Sequence, residues 1–238
     1  MTSILVTGTG TGVGKTAVTA AVACLAAGRG LRVVVLKPAQ TGEPDDGGGD
    51  LAEVARLVPG VEGVELARYP DPLSPAAAAR RSGRPALSLA ACRNAVEGAQ
   101  AAADLVLVEG AGGLLVPYDA HGWTMRDLAE ALSLPVLLVT TPGLGTLNTT
   151  ALTLEALQRR RLVLHALVIG AWPSAPGLAE RCNVQDLEAL AGRPLAGALA
   201  AGAPTLGAGG FAAAARAGLS RMLGGAFDPA PFRRAAAA

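Results

Sequence analysis

Gly8-Thr9-Gly10-Thr11-Gly12-Val13-Gly14-Lys15-Thr16 is the stretch that decides the fold of this chain. It follows a short apolar run, Ile4–Val6, and leads into an alanine-rich segment that favours a helix. A strand, a glycine-rich turn, Lys-Thr and a helix are typical of a polyphosphate-binding loop, because glycines let backbone N–H groups converge on phosphate oxygens. We expect Lys15 to reach the outer phosphates and the Thr16 hydroxyl to hold Mg²⁺. The predicted nucleotide-binding residues are Gly12, Val13, Gly14, Lys15 and Thr16.

The spacing of this loop departs from the common phosphate-loop pattern, which has four residues between its first glycine and the Gly-Lys pair. Thr9 stands at the position of that first glycine, and Gly8 precedes it, so the loop is one residue longer or differently shaped. Gly10 stands where partition and septum-site ATPases carry an additional lysine that reaches across their dimer. The sequence therefore argues against an ATP switch of that class.

Charge and composition narrow the range of partners. The chain has 238 residues and a formal net charge of +1, which gives no reason to expect nucleic acid or an anionic membrane as a partner. Its basic run, Arg159–Arg161, lies at a predicted helix end, where cations suit the helix dipole. No apolar stretch reaches the ~18 residues of a membrane span. Three scattered cysteines have no metal-binding spacing and fit a reducing cytoplasm, which is the predicted location.

Strand-like and helix-like segments alternate along the chain. The predicted strands are Ile4–Thr7, Arg32–Leu36, Leu105–Val108, Val136–Thr140, Ala166–Ile169 and Leu195–Leu199. The predicted helices are Lys15–Ala27, Leu51–Leu57, Leu89–Ala102, Met125–Leu132, Leu147–Arg160, Ala179–Ala191 and Phe211–Leu223. This alternation predicts an α/β fold: a single-domain, doubly wound, mostly parallel sheet with helices on both faces. The domain is expected to span residues 1–228, with a frayed tail over 229–238.

Charged residues follow two of the predicted strands, at the edge where a doubly wound sheet binds its ligands. Lys37 comes at the end of the second strand and is a candidate for a second anion clamp beside Lys15. Glu109 ends an apolar strand just before a glycine-rich turn, and we expect it to be the carboxylate on the magnesium side of the site. The turn that follows, Gly110–Gly113, leaves the backbone open to a substrate.

Two further segments allow more than one interpretation. Asp50 closes a glycine-rich acidic loop, Gly42–Gly49, that we expect to be flexible. Asp50 either caps the following helix or contributes to holding Mg²⁺. The segment Pro142–Asn148 follows another strand and leads into a helix. It forms an anion-binding helix start, a subunit contact or an ordinary turn.

Taken together, these segments resemble the dethiobiotin synthetase family. The matching elements, in order from about Thr2 to Pro204, are Thr7–Thr16, Lys37–Gly42, Asp50, Ser74-Pro75, Val108–Gly113 and Leu144–Asn148. The resemblance implies a ligase of biotin biosynthesis that acts on 7,8-diaminopelargonic acid, CO₂ and a nucleoside triphosphate, with ATP as co-substrate and Mg²⁺ as cofactor. One amine captures CO₂ as a carbamate, which attacks the γ-phosphate of ATP. The neighbouring amine then closes the cyclic urea and expels phosphate, giving dethiobiotin and ADP.

The resemblance also implies a role for each matching residue. The lysines would neutralise charge on the transferring group and the threonines would hydrogen-bond the carbamate or phosphate, which makes the implied catalytic residues Lys15, Lys37, Thr11 and Thr41. The implied Mg²⁺ ligands are Thr16, Asp50 and Glu109. The implied substrate contacts are Thr41, the Gly112 backbone, Leu147 and Asn148. The last two would reach the substrate carboxylate across the interface of a homodimer whose sites are shared.

One segment departs from the family pattern. Many members have an asparagine-containing pair after the strand that precedes the adenine pocket, whereas Gly170-Ala171 stands here within Val168–Pro173. Neither side chain can hydrogen-bond a base. The sequence therefore predicts relaxed discrimination between ATP and other nucleoside triphosphates.

Three other classes of nucleotide-binding protein compete with this interpretation. A glutamine-dependent amidoligase carries an amidotransferase domain with a nucleophilic cysteine, for which this chain has no room. A guanine-nucleotide switch needs an Asn-Lys-x-Asp base reader, which the sequence lacks. A partition-type ATP switch would hydrolyse nucleotide without the diamine, whereas a synthetase should release little phosphate until the diamine and CO₂ are present.

Overall fold

The fold is a parallel sheet, in the order β3-β2-β4-β1-β5-β6-β7, in a computed structural model that describes residues 2–237. The strands are β1 (Thr2–Gly8), β2 (Val33–Thr41), β3 (Glu62–Tyr69), β4 (Leu105–Gly113), β5 (Val136–Thr140), β6 (Leu164–Trp172) and β7 (Gly197–Ala200). The helices are α1 (Lys15–Ala27), α2 (Asp50–Leu57), α3 (Pro75–Ser82), α4 (Leu89–Ala102), α5 (Met125–Leu132), α6 (Thr146–Arg159), α7 (Leu178–Ala191), α8 (Ala208–Gly218) and α9 (Pro229–Ala237). Every strand pair in this sheet is parallel.

Helices cover both faces of the sheet. On one face α1, α2 and α8 pack against alternate residues of the central strands. The other face carries α4 and α5 near β4, and α6 and α7 near β5 and β6. The central strands are buried on both sides, which is why their sequences are continuously apolar. The predicted doubly wound α/β fold is therefore confirmed.

Several predicted boundaries agree with the structure. Helices α1, α4 and α5 begin and end at the residues predicted for them. The start of α5 has a capping box: the Thr124 hydroxyl and the Asp127 carboxylate satisfy each other's backbone N–H groups. This agreement reflects the fact that these helix starts and ends are set by local sequence.

Two elements in the first half of the chain were missing from the prediction. Strand β3 lies at the edge of the sheet, is half-exposed and carries Glu62, Glu65 and Arg68 among its apolar residues. Charges on an edge strand discourage pairing with another chain, but they also hide the strand from a search for apolar runs. Helix α3 is only eight residues long and starts with Pro75, which suits the first turn of a helix.

The C-terminal region differs from the prediction. Helix α8 ends at Gly218, and only a short 3₁₀ turn, Arg221–Leu223, follows it. The frayed tail predicted from residue 229 is instead helix α9, while residue 238 lies outside the described residues. Two contacts hold α9 in place. Arg233 donates to Glu188 on α7 at 2.5 Å, and the Phe232 ring packs edge-on against Trp172 at a centroid distance of 4.9 Å.

The carboxyl ends of β1, β2, β4, β5 and β6 meet at one edge of the sheet, where open α/β sheets bind their ligands. The predicted site residues lie within the last residues of β2 and β4 or in the segments that follow β1, β2 and β5. Within residues 2–237, no helix is long and apolar enough to cross a membrane.

Candidate active site

The phosphate loop joins β1 to α1 and has the backbone that its glycines predict. Gly12 and Gly14 have φ of 73° and 94°, in the left-handed region that favours glycine. Gly14 is also the N-cap of α1, and no acidic residue lies in the first turn of that helix. No acidic side chain of the helix itself therefore occupies its positive end, which suits an anion-binding helix start.

The first lysine of the site is folded back over this loop. Lys15 is only 7% exposed, and its Nζ donates a hydrogen bond to the Gly10 carbonyl oxygen at 2.9 Å. Burial, together with the nearby charge of Lys37, lowers the pKa of Lys15. The ammonium group is thus held in the loop next to the free N–H groups of the helix start.

The strand β6 packs against the backbone of the phosphate loop. A Cβ added to Gly170 would lie 2.0 Å from the Val13 carbonyl oxygen, and one added to Gly14 would lie 2.8 Å from the Gly170 carbonyl oxygen. Real Cβ atoms do not approach backbone so closely, so residue 170 is glycine because two backbone segments touch there. No side chain is available at this point of β6 to contact a base.

The second lysine lies in a buried charge cluster. Lys37 is 3% exposed and Glu109 is 1% exposed, and the Lys37 Nζ donates to Glu109 Oε1 at 3.0 Å. The same ammonium group also pairs with Asp50 Oδ2. The Thr16 hydroxyl donates to Glu109 Oε1 at 2.8 Å. We call Thr16, Lys37, Asp50 and Glu109 the charge cluster.

The charges in this cluster determine its protonation. Burial alone would lower the pKa of Lys37, but the carboxylates of Glu109 and Asp50 outweigh it and raise that pKa. Burial alone would raise the pKa of Asp50, but Lys37 outweighs it and lowers that pKa. At neutral pH, therefore, Lys37 is an ammonium ion and Asp50 is a carboxylate.

The charge cluster has the donor set that Mg²⁺ prefers, although it is too small to bind the ion alone. Glu109 Oε2 is buried and has no hydrogen-bond partner, so one carboxylate oxygen is left to accept a ligand. Among residues 2–237, no group of three or more His, Cys, Asp or Glu side chains is placed to hold a metal. Two carboxylates and one hydroxyl next to a phosphate loop fit an ion that takes its remaining ligands from phosphate oxygens and water.

Asp50 is positioned by Gln40, which was not among the predicted site residues. The Gln40 side-chain oxygen accepts a hydrogen bond from the Asp50 N–H at 3.0 Å, and Gln40 is buried. Gly49 has φ of 89°, and a Cβ there would lie 2.8 Å from the Gln40 side chain. Gln40 thus fixes the start of α2. Its position within the matching segment Lys37–Gly42 was the available signal.

The glycine-rich acidic loop 42–49, which was expected to be flexible, is tied to β3. The Arg68 guanidinium donates to the carbonyl oxygens of Pro44, Gly47 and Gly48 at 3.0 to 3.2 Å. Arg84 forms a two-point ion pair with Asp45 at 2.7 and 2.9 Å. The loop that carries Asp50 toward the site is therefore held by two arginines.

A cavity of about 800 Å³ lies above the phosphate loop and the charge cluster, within the range of small-molecule sites. The predicted site residues that line it are Thr11, Gly12, Gly14, Lys15, Thr16, Lys37, Thr41, Asp50 and Gly112. Glu109 lies beneath its floor, and Val13 is packed in the core under the loop. The structure thus brings most of the predicted site residues to one cavity.

Leu147 and Asn148 do not line this cavity; they lie in the first turn of α6. Leu147 is partly buried, Asn148 is exposed, and the preceding Leu144 is 95% exposed. The start of α6 is tied to the phosphate loop through hydroxyl groups: Thr140 Oγ1 lies 3.3 Å from Thr9 Oγ1 and 2.7 Å from Thr146 Oγ1. The role of Leu147 and Asn148 as substrate contacts across a dimer stays a prediction.

The sequence of this chain matches a protein family over most of its length and several relatives along nearly its whole length. A family profile described as an AAA domain matches residues 2–203. The ATP-dependent dethiobiotin synthetase BioD of Parafrankia sp. (strain EAN1pec) is 57% identical over 235 residues, which cover 98% of each chain. The protein of the same name from Streptomyces coelicolor is 52% identical over 232 residues, again 98% of each chain. The chain belongs to the dethiobiotin synthetase family.

A solved structure shares the fold at low sequence identity. The cell division ATPase MinD of Pyrococcus furiosus aligns with a TM-score of 0.53 and 18% identity, covering 84% of each chain. At this identity the likeness concerns the doubly wound sheet alone. Dethiobiotin synthetases and this ATPase thus have a common scaffold, and the residues at the strand ends must account for any difference in chemistry.

The two site lysines of this dethiobiotin synthetase family member are the only lysines in its sequence, since every other basic residue is arginine or histidine. Isotopic labelling of lysine ammonium groups should therefore give two resonances. Because the pKa of Lys15 is lowered from its usual 10.5 and that of Lys37 is raised, we expect Lys15 to lose its proton first as the pH rises. Lys15→Arg assigns the pair by removing one resonance, and titration in the reverse order would contradict the described charge cluster.

Proposed function

We propose that this chain is an ATP-dependent dethiobiotin synthetase that carboxylates 7,8-diaminopelargonic acid with CO₂ and closes the cyclic urea. The observation that carries the proposal is the pair of buried lysines, Lys15 and Lys37, beside one cavity at the phosphate loop. The high identity to synthetases of that name along nearly the whole chain supports the same conclusion. The role of each single residue is part of this proposal.

The first task of the site is to hold the nucleotide. The N–H groups at the start of α1 and the Lys15 ammonium group would take the β- and γ-phosphates of ATP, replacing the contact that Lys15 makes with the Gly10 carbonyl. Thr16, Asp50 and Glu109, with its unpartnered Oε2, would hold Mg²⁺. When bound, the ion neutralises charge on the phosphate oxygens.

The next step joins CO₂ to the substrate and then to phosphate. An amine nitrogen attacks the carbon of CO₂ and loses a proton, giving a carbamate. A carbamate oxygen then attacks the γ-phosphorus as the bond to the β-phosphate oxygen breaks and ADP departs. Lys37 and Lys15 would neutralise the charge that builds on the transferring group, and Thr11 and Thr41 would orient the carbamate by hydrogen bonds.

The last step closes the ring. The neighbouring amine attacks the carbonyl carbon of the carbamic-phosphoric anhydride, the bond from that carbon to the phosphate oxygen breaks, and phosphate and a proton leave. The reaction requires alignment rather than a protein nucleophile. The Gly112 backbone, at one side of the cavity, would face the diamine.

The site is further proposed to be shared between two subunits of a homodimer. Leu115 and Leu152 are each more than half exposed and line a second cavity of about 510 Å³ beside the phosphate loop, and Leu144 is almost fully exposed nearby. A second copy covering these leucines would bring Leu147 and Asn148 toward the substrate carboxylate. Sedimentation at the assay concentration tests this proposal, which a monomer with full activity would contradict.

We also propose that the protein acts in the cytoplasm, in keeping with its three unpaired thiols, Cys24, Cys92 and Cys182. Cell fractionation with detection of the native protein would test this. Recovery in a membrane or secreted fraction would contradict it.

The dependence of phosphate release on the diamine tests the proposed reaction. With Mg²⁺, ATP and bicarbonate present, phosphate release should be slow and should rise in a saturable manner when 7,8-diaminopelargonic acid is added. One phosphate should appear for each diamine consumed. A monoamine of the same chain length is the matched control, because it can form a carbamate but cannot close the ring. Release that is the same with and without the diamine would indicate an ATPase of another kind.

The segment Gly170-Ala171 leads to a prediction about the nucleotide. The contact between Gly170 and the Val13 carbonyl leaves no side chain to hydrogen-bond a base, and the next residue is an exposed alanine. Since a single hydrogen bond contributes about 1 kcal/mol, we expect kcat/KM for CTP and GTP to lie within about tenfold of the value for ATP. Steady-state kinetics with the three nucleotides measures this, and preference for ATP by a much larger factor would contradict it.

A further inference from the structure

The strand β4 leaves the regular ladder at the point where it enters the site. Val6 of β1 pairs with Glu109, and Gly8 pairs with Gly113, so a single β1 residue lies opposite Gly110–Gly112. On its other side, the pairing of β4 with β2 ends at Val108. The backbone groups of this bulge, which we call the β4 bulge (Gly110–Gly112), therefore need partners outside the ladder.

A tyrosine supplies one of these partners. The Ala111 N–H donates to the Tyr118 hydroxyl oxygen at 2.8 Å. Tyr118 is fully buried, and burial raises its pKa, so the hydroxyl stays neutral. This single side-chain oxygen thus takes the place of a ladder acceptor for the residue at the middle of the bulge.

The position of the hydroxyl is fixed by a second aromatic residue. The Tyr118 ring stacks on Trp123 with a centroid distance of 4.5 Å and an interplanar angle of 27°. Trp123 accepts a hydrogen bond from the Tyr118 N–H at 2.9 Å, and its own indole N–H donates to the Leu87 carbonyl at 2.8 Å. The phenol therefore has little freedom to move away from Ala111.

The β4 bulge has a functional group on either side of Ala111. Before it, the Gly110 carbonyl lies 3.4 Å from the Lys37 Nζ, next to Glu109 of the charge cluster. After it, Gly112 has φ of 67° and lines the cavity beside Ala111. Any shift of Ala111 would thus move the cavity wall at Gly112.

We propose that Tyr118 is a positioning residue for the diamine: its hydroxyl holds the β4 bulge so that the Gly112 backbone forms the substrate wall of the cavity. The proposal rests on the proposed function, because it assigns the substrate that this wall contacts. Tyr118 does not line the cavity, so it acts through Ala111 and Gly112 and not by touching the substrate.

Tyr118→Phe and Tyr69→Phe form a matched pair for the test. Tyr69 is the only other tyrosine of the chain, is 1% exposed, and donates its hydroxyl to the Pro85 carbonyl at 2.9 Å. Each variant removes one buried oxygen and one bond to backbone, so their effects on Tm should be similar. Only Tyr118→Phe frees the β4 bulge.

We expect Tyr118→Phe to raise KM for 7,8-diaminopelargonic acid on the order of tenfold, as one lost bond at a buried wall predicts, while KM for ATP changes less than twofold. Tyr69→Phe should change neither. Amide exchange at Ala111, followed by NMR, should accelerate in Tyr118→Phe alone. Equal KM values for the diamine in the two tyrosine variants would overturn the positioning role. Equal changes in KM for the diamine and for ATP in Tyr118→Phe would also overturn it.

Two further readouts keep the result decisive. If Tyr118→Phe does not fold, Trp123→Phe keeps an aromatic ring and the tyrosine hydroxyl but loses the indole bond to Leu87. It should raise KM for the diamine in the same direction by a smaller factor, and an unchanged KM would overturn the proposal. Wild-type protein run in parallel separates the two claims. Wild type without cyclic urea product overturns the function and the Tyr118 role together, whereas active wild type with two equal tyrosine variants overturns the Tyr118 role alone.

Discussion

Lys15→Ala is expected to reduce kcat by at least about 10²-fold, equivalent to about 3 kcal/mol of lost transition-state stabilisation. The ammonium group is buried in the phosphate loop, where charge from the γ-phosphate would accumulate. The substitution leaves the glycines of the phosphate loop unchanged, so the affinity for nucleotide should fall by a smaller factor than kcat. Single-turnover phosphate release with saturating diamine measures the effect.

The control for this variant is Arg159→Ala, which removes an exposed cation paired with Glu155 at the far end of α6. Surface ion pairs of this kind contribute little, so its kcat should stay within about twofold of wild type. A Lys15→Ala protein with near-normal turnover would remove Lys15 from the mechanism.

Lys37→Met is expected to destabilise the nucleotide-free protein by about 3–5 kcal/mol and to abolish measurable turnover. Removal of the cation leaves the Glu109 charge, 1% exposed, next to Asp50, without the ammonium group that bonds both carboxylates. Glu109→Gln should cost less, because Lys37 keeps Asp50 as a partner. Urea denaturation gives the stability and the phosphate assay gives the activity.

The double variant separates the two roles of Lys37. In Lys37→Met with Glu109→Gln the charge of Glu109 is gone and only Asp50, the more exposed carboxylate, is left without Lys37, so the loss of stability should be smaller than the sum of the single losses. Activity should not return, since Lys37 is assigned to the transferring phosphate and Glu109 to Mg²⁺. Single variants that each cost less than about 1 kcal/mol, or a double variant that regains turnover, would contradict the described charge cluster.

The parts of the fold that could be predicted are those set by local sequence or by burial on both faces. The buried central strands are apolar runs, and the ends of α1, α4 and α5 follow from the sequence around them. Strand β3 was missed because its edge position allows charges. Helix α9 was missed because its stability comes from contacts of Phe232 and Arg233 with residues distant in sequence.

The site residues also divide into those that local sequence indicates and those that depend on contacts distant in sequence. Lys15, Lys37, Asp50 and Glu109 follow strands or loops in recognisable motifs, so their convergence on one edge could be expected. Tyr118 could not be predicted, because its role depends on the β4 bulge and on a bond to Ala111 that no spacing reveals. The glycine at 170 was noted only for the side chain it lacks, whereas the structure shows a backbone contact with Val13.

Transfer of labelled carbon from bicarbonate into a cyclic urea is the measurement that tests the central claim most directly. The protein is mixed with Mg²⁺, ATP, ¹³C-bicarbonate and 7,8-diaminopelargonic acid, and the product is analysed by mass spectrometry and carbon NMR. The account predicts one labelled urea carbonyl in each dethiobiotin molecule and one phosphate released with it. Phosphate release without labelled urea, in protein shown to be folded and to bind nucleotide, would contradict the account.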